Sequence, residues 1–401
     1  MSTTRNEARV IWLMAAMQFV NMMNFSMVMP LGPDFAKALG IANSQIGYVG
    51  GAYTLAAALS AFLCARVVDR YDRKAVALFL LGGLSVATLA TLFADSLGEL
   101  LAARILAGLF GGPITSIGLS IVTDTVPVER RGRAVGTVMG AFSAASVLGV
   151  PLALELSHRG GWHLPFYAVS AFGALVWLIL YRALPAMGGH LAMRPAGAQV
   201  SLARLLARNE VRNAYLMVSS AMFAGFLLIP NFSSYFQFNL HYPREHMGLL
   251  LFTGGLASLV IMPLAGRLSD RVGGSPLSLA ATVALVTVIY LGFTGPAQLP
   301  VLAISTLFMA LNAVRNITAT ATSTRVPAPY ERAGYMALQS ALTYVAIGGA
   351  ALLSSLLLGD RADGSLIGMP ALAWLAIAIA VLQPLLMARL ERRLRLVSQP
   401  A

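Results

Sequence analysis

Two arginines, Arg104 and Arg315, lie inside long apolar runs of the chain. An ionised guanidinium in an apolar span is costly, so it normally faces a cavity, an acceptor or a bound anion. Arg104 sits about one turn inside its run and can also snorkel outward or serve helix packing. Arg315 lies about three turns from the loop at Pro327, in a polar stretch with Asn312, Asn316, Thr318 and Thr320. That depth favours a role for Arg315 in lining an internal polar cavity.

Three amides, Gln18, Asn21 and Asn24, follow one another at a spacing of three. Residues three apart share a helical face, so the amides form one stripe. In lipid the stripe must point inward, either to a polar cavity or to hydrogen bonds with neighbouring helices. Asn231, Asn312 and Gln339 add amides to later apolar runs, and Tyr53, Phe223, Tyr235 and Tyr344 offer aromatic walls for an amphipathic guest. The acids are less informative. Asp34 and Glu155 fall near the ends of their runs, where an interfacial position competes with a proton-carrying one.

What positions these residues follows from composition. Of 401 residues, 58% are hydrophobic and 11% charged, against about 25% charged in ordinary soluble domains. With a mean hydropathy of +0.75 there is too little polar surface to cover a water-soluble globule. Runs of a length suited to crossing a bilayer fall at 10–33, 44–66, 75–95, 99–122, 134–157 and 163–184, then at 212–237, 246–266, 277–295, 299–321, 333–358 and 369–388. The chain therefore reads as an all-α membrane protein of twelve transmembrane helices, in two six-helix halves at 1–184 and 209–401 with a linker at 185–208. The run at 10–33 is too long for a secretory signal and reads as an uncleaved first span.

The net charge of +12 does not imply nucleic acid, because the basic residues come in short clusters between apolar runs. With a cytoplasmic N-terminus, 22 of the 28 Lys and Arg fall on the cytoplasmic side, 4 on the other and 2 within spans. That asymmetry is the positive-inside signal of a multi-pass protein of bacterial-type inner membrane with both termini cytoplasmic. Cys64 is the single cysteine, which excludes a disulfide framework and a cysteine metal cluster. No Gly-rich loop ends in Gly-Lys-Ser/Thr, and no nucleophile, base and orienting group recur together, so neither ATP hydrolysis nor another enzymatic reaction is expected. No cofactor and no metal are expected.

The chain repeats at an offset of about 200 residues. Ala65-Arg-Val-Val-Asp-Arg70 returns as Gly266-Arg-Leu-Ser-Asp-Arg271, and Val126-Pro-Val-Glu-Arg-Arg-Gly132 returns as Val326-Pro-Ala-Pro-Tyr-Glu-Arg-Ala-Gly334. Two similarly oriented six-span halves are the parallel-repeat arrangement of secondary transporters.

At these residues the chain resembles the major facilitator superfamily over essentially its whole length. The loop Ala65 to Lys74 is similar to that family's Gly-x-Leu-x-Asp-Arg-x-Gly-Arg-Lys signature: Asp69, Arg70, Arg73 and Lys74 match, while Ala65 and Asp72 replace glycines. Its copy, with Asp270 and Arg271, restores both glycines at Gly266 and Gly273. Arg104-Ile-Leu-Ala-Gly108 looks like the second family motif, and Gly140 with Gly149-Val-Pro151 resembles the fifth-span motif of the drug and sugar efflux branch, although Ala153 replaces a glycine. The resemblance implies alternating access, with a pocket lined by spans 1, 4, 7 and 10. It also implies a conformational latch at Asp69, Arg70, Arg73, Asp270 and Arg271. In the relatives resembled, an Asp occupies the position of Asn24, and an amide there cannot exchange a proton. Either this chain does not couple through that site, or an acid has been replaced.

The resulting expectation is a proton-linked exporter of small organic or amphipathic compounds. Substrate contacts are expected among Gln18, Asn21, Asn24, Tyr53, Arg104, Phe223, Asn231, Tyr235, Asn312, Arg315, Gln339 and Tyr344, and coupling residues among Asn24, Arg315, Asp34 and Glu155. Its partners would be a small-molecule substrate, the lipid bilayer and protons, with no nucleic acid, and it would act as a monomer. Two alternatives stay open: uptake or facilitated diffusion of an organic anion, and a transporter-like sensor that binds without turnover.

Overall fold

The structure, a computed structural model, describes residues 2–67, 71–188, 202–327 and 332–398. The described chain is almost wholly helical and gathers into two compact units, one drawn from Met1–Ile41 and Ala52–Ala198, the other from Ala42–Gly51 and Gln199–Ala401. Among the described residues eleven helical stretches are long and apolar enough to cross a membrane. The earliest helix is not one of them.

The first unit opens with α1 (Ser2–Ser26) and a short α2 (Gly32–Leu39). The sequence reading placed one span at 10–33; the helix instead starts earlier and ends at Ser26. Pro30 accounts for the break, because proline lacks an N–H and disfavours helical backbone in the residue before it. Pro33 lies in the first turn of α2, where the missing N–H does no harm. The stripe Gln18, Asn21 and Asn24 makes α1 more polar than the other spans.

Next come α3 (Ile46–Val67), α4 (Arg73–Ala90), α5 (Leu97–Gly111) and α6 (Ile114–Thr125). Asp72, one of the two departures from the glycine pattern, has a local task. Its carboxylate caps α4 by accepting from the N–H of Ala75 at 3.1 Å, and it also accepts from the N–H of Met187 at 2.6 Å. A cap of this kind contributes about 0.5–2 kcal/mol. Pro113 separates α5 from α6 within a single apolar stretch, Leu97–Thr125. Gly108 and Gly112 let α5 approach α3, since a methyl group at either would strike a backbone carbonyl, of Tyr53 or Ala57. The unit closes with α7 (Val128–Ala144), α8 (Val150–Gly160) and α9 (His163–Ala183), with one π-helical turn at Ala145–Gly149 ahead of Pro151.

The second unit holds α10 (Leu202–Ala207), α11 (Asn209–Leu228), α12 (Met247–Val272), α13 (Gly274–Phe293), α14 (Val301–Ser323), α15 (Arg332–Leu357) and α16 (Met369–Ser398). The stretch after α11 runs on through tight turns to a π-helical turn at Tyr235–Asn239. A small hairpin, absent from the sequence reading, joins α15 to α16: β1 (Gly359–Asp360) pairs antiparallel with β2 (Leu366–Ile367). The segment Ala42–Gly51 packs with this unit. Asn43 Nδ2 donates to the carbonyl of Gly364 at 2.8 Å, and the N–H of Ser44 donates to the carboxylate of Asp360 at 3.2 Å.

Large apolar side chains such as Phe79, Phe93, Leu148 and Leu356 are exposed, while Arg104, Arg315 and the amides Gln18, Asn21, Asn24, Asn231, Asn312, Gln339 and Gln383 are buried. A bilayer as solvent demands this distribution, because lipid supplies no hydrogen bonds.

Candidate functional site

The stripe on α1 is consumed helix by helix. Thr115 of α6 donates to Gln18 Oε1 at 3.0 Å, Tyr53 of α3 donates to Asn21 Oδ1 at 3.0 Å, and Thr88 of α4 donates to Asn24 Oδ1 at 2.5 Å. Asn24 Nδ2 in turn donates to the carbonyl of Val20 at 3.1 Å. Of the two roles open to the stripe in sequence, the structure displays the helix-to-helix one, and all three amides are buried.

Arg104 of α5 stands at the centre of this set. It does not snorkel; the side chain is fully buried. Nη2 donates to the backbone carbonyl of Asn24 at 2.6 Å, and the guanidinium carbon lies 4.6 Å from the centroid of the Tyr53 ring. Asn24 is in the last turn of α1, where carbonyls lack in-helix donors and a cation is favoured by the helix dipole. Nε and Nη1 of Arg104 have no partner among the described residues. The outcome is a buried, positively charged centre, walled by an aromatic ring and amides, with two N–H directions left to offer. Such a centre suits a planar group rich in acceptors.

In the second unit Arg315 is also fully buried. Its Nε donates to Thr282 Oγ1 of α13 at 3.1 Å and its Nη2 to the carbonyl of Ala380 of α16 at 2.9 Å. Gln383 Nε2 returns a bond to the carbonyl of Arg315 at 2.8 Å. Asn312 donates to the carbonyl of Phe308 at 2.9 Å, one turn back along its own helix. Gln339 accepts from Ser323 at 2.5 Å, and Ser323 also bonds the Tyr335 hydroxyl at 2.6 Å. Asn231 donates to Ser354 at 2.5 Å and leaves its Oδ1 without a partner among the described residues. Tyr235 does not form an open wall: its hydroxyl donates to the carbonyl of Gly292 at 3.0 Å and its ring stacks on Phe293 at 5.1 Å. Phe223 and Tyr344 are half-buried.

The acids differ from one another. Asp34 accepts from Ser157 at 2.7 Å, whereas Glu155 is half exposed and pairs with Arg159 one turn away at 2.6 Å. Of the latch residues, Asp69, Arg70 and the side chain of Asp270 lie outside the described residues. Arg271 is exposed. Arg73 is buried and pairs with Asp124, at the end of α6, at 2.5 Å. Thr88, Thr282, Asp124 and Gln383 were not singled out from sequence. Pro384 within α16 signals only that the Ala380 carbonyl needs a donor from elsewhere, and that donor is Arg315.

Comparison with known proteins agrees with this architecture. The model of the Major Facilitator Superfamily matches residues 14–351 and 214–398. An uncharacterized MFS-type transporter of Mycobacterium tuberculosis is 30% identical over 186 residues, which cover 46% of this chain and 32% of that one. The chain thus matches about a third of that relative's length. The purine ribonucleoside efflux pump NepI of Shigella dysenteriae is 25% identical over 287 residues, covering 69% of this chain and 70% of the pump. Among solved structures, a D-xylose-proton symporter superposes with a TM-score of 0.75 at 13% identity, covering 94% of this chain and 96% of the symporter, which is a likeness of fold.

Proposed function

The chain belongs to the Major Facilitator Superfamily of multi-pass membrane transporters, and from that premise we propose that it is a proton-linked exporter of small organic or amphipathic compounds. The relative that supports the direction is an efflux pump for purine ribonucleosides. The observation that carries the reading is Arg104, fully buried over the Tyr53 ring with Nε and Nη1 unpartnered among the described residues. A flat, acceptor-rich substrate such as a carboxylate or a carbonyl-bearing ring is the chemistry this centre would receive. Asn24, through its backbone carbonyl, and Asn21, through the Tyr53 hydroxyl, hold the guanidinium and the ring in place.

Asn24 cannot carry a proton. In this reading Asp34 does, since its carboxylate is half-buried and hydrogen-bonded to Ser157 rather than exposed in a surface pair as Glu155 is. The protein works by alternating access as a monomer in an inner membrane, with both termini cytoplasmic, and the Asp69–Lys74 loop with its copy at Asp270 and Arg271 acts as the conformational latch. A topology reporter placed after Ala401 or near Gly188 should read cytoplasmic, and a periplasmic signal from either defeats the orientation.

One observation favours a second reading, facilitated movement of an organic anion: Arg104 has no carboxylate partner among the described residues. A thermal-shift screen of purified protein against anionic, neutral and cationic compounds identifies the ligand class, because binding to the folded state raises Tm. Flux of the best ligand in proteoliposomes, with and without an imposed proton gradient, then decides. Gradient-driven accumulation supports export. Flux indifferent to the gradient supports the anion facilitator, and binding without flux marks a sensor.

A further inference from the structure

Pro384 lies in the interior of α16. A proline has no N–H, so the carbonyl four residues before it, that of Ala380, loses its in-helix donor, and the ring crowds that carbonyl aside. Within a bilayer bulk water is not at hand to replace the donor, and membrane helices tolerate proline where a neighbouring side chain, an ordered water or a local adjustment of the helix satisfies the freed carbonyl. Here that group is Arg315, whose Nη2 donates to the Ala380 carbonyl at 2.9 Å. The same guanidinium reaches Thr282 of α13 at 3.1 Å through Nε. Gln383, the residue before the proline, bonds the backbone carbonyl of Arg315 at 2.8 Å. Three helices meet at one fully buried side chain, at the level of the proline.

We propose that Arg315 is a positioning residue: it supplies the hydrogen bond that Pro384 removes from α16 and so joins α13, α14 and α16 into one rigid body. Two of its three nitrogens are bonded inside the unit, which is a poor arrangement for meeting a substrate. Arginine suits the task better than lysine, because a planar fork can serve acceptors on two helices at once while an ammonium is a single point. The proposal leaves Arg104 as the substrate-facing cation, so the two arginines have different duties despite similar burial.

The test is a double-mutant cycle on the full chain with Arg315→Met, Pro384→Ala and both together, reading Tm and, with the best ligand of the thermal-shift screen as the probe, binding and flux. Arg315→Met alone should lower Tm by several degrees and reduce flux. Pro384→Ala alone should stay close to the parent. In the double variant the new N–H at position 384 serves the Ala380 carbonyl directly, so most of the Tm loss should disappear and flux should return with KM unchanged. If Arg315→Met does not accumulate in membranes, Arg315→Lys alone and with Pro384→Ala gives the same comparison, with a smaller loss that Pro384→Ala again reduces. A Tm loss of equal size in both backgrounds overturns the proposal. So does a double variant that is as stable as the parent but no longer binds substrate, which would make Arg315 a ligand contact after all.

Discussion

Arg104 donates through Nη2 to the backbone carbonyl of Asn24 at 2.6 Å, so a fully buried cation of the first unit caps the closing turn of its first helix. One side chain therefore links the shape of α1 to the polar centre. Arg104→Gln removes a charge-assisted bond and the contact with the Tyr53 ring. It should cost about 1.5–3 kcal/mol of stability and weaken substrate binding more than tenfold. Arg104→Lys should recover part of the stability but little of the binding, because it lacks the fork. Thermal unfolding with and without substrate checks both, and a Gln variant with parental KM places the substrate elsewhere.

Asn24→Asp makes position 24 titratable without changing its shape. A protonated carboxyl can repeat both amide bonds, donating to the Val20 carbonyl and accepting from Thr88. The ionised form loses the first of these and gains Arg104 beside it. Flux in the variant should therefore acquire a pH dependence that the parent lacks at this site. Identical pH profiles for the two proteins would make position 24 purely structural.

The Arg73–Asp124 pair can be probed from its acidic side. Asp124→Asn removes one carboxylate from Arg73, a loss that in a fully dry pair would cost about 3–5 kcal/mol. The Asp124 side chain is 34% exposed, so solvent screens part of that. A loss of roughly 1–3 kcal/mol is expected. Denaturation at low and high salt gives the measurement, and an unchanged midpoint in both would show the pair to be incidental.

The hairpin between α15 and α16 makes two predictions of its own. Asp360→Asn weakens the cap on the Ser44 N–H and should cost about 0.5–2 kcal/mol, read as faster amide exchange at Ser44. Asp363 lies on the same hairpin, where the hydroxyl of Ser365 at 2.6 Å and its N–H at 2.9 Å hold the carboxyl below its ordinary pKa. A lowered folded-state value means that the ionised form is the one stabilised. Protection of the Ser365 amide should be complete above the ordinary carboxylate range and disappear as pH falls through the lower folded value. Protection that instead grows on acidification would reverse the sign of this account.

Much of the fold was legible in the chain. Eleven of the twelve expected spans recur as long apolar helices within a few residues of the positions read from sequence. The doubled Asp-Arg loop and the lopsided distribution of basic residues are themselves sequence signs of a transporter built from two similar halves. The misplaced span was the first, because apolar side chains continue past Ser26 while the backbone does not, and only the pyrrolidine of Pro30 signalled the stop. Asp72 looked like a defect in a glycine pattern and is in fact a helix cap, since a carboxylate one residue before a helix can serve two N–H groups that a glycine cannot.

The sequence by itself determined that Arg104 and Arg315 lie within spans, that an amide stripe runs along α1, and that no titratable acid sits among them. Composition and spacing suffice for that, because insertion into a bilayer depends on how many apolar residues follow one another. Only the tertiary structure decided what each polar group meets: Arg104 the carbonyl of Asn24, Arg315 the carbonyl freed by Pro384. A span that touches lipid on one side and apolar helices on the other is hydrophobic all round, so its sequence carries little record of which face points where. The partner is fixed by helix packing across dozens to hundreds of residues, and a guanidinium buried without water must take whichever acceptor that packing brings within about 3 Å.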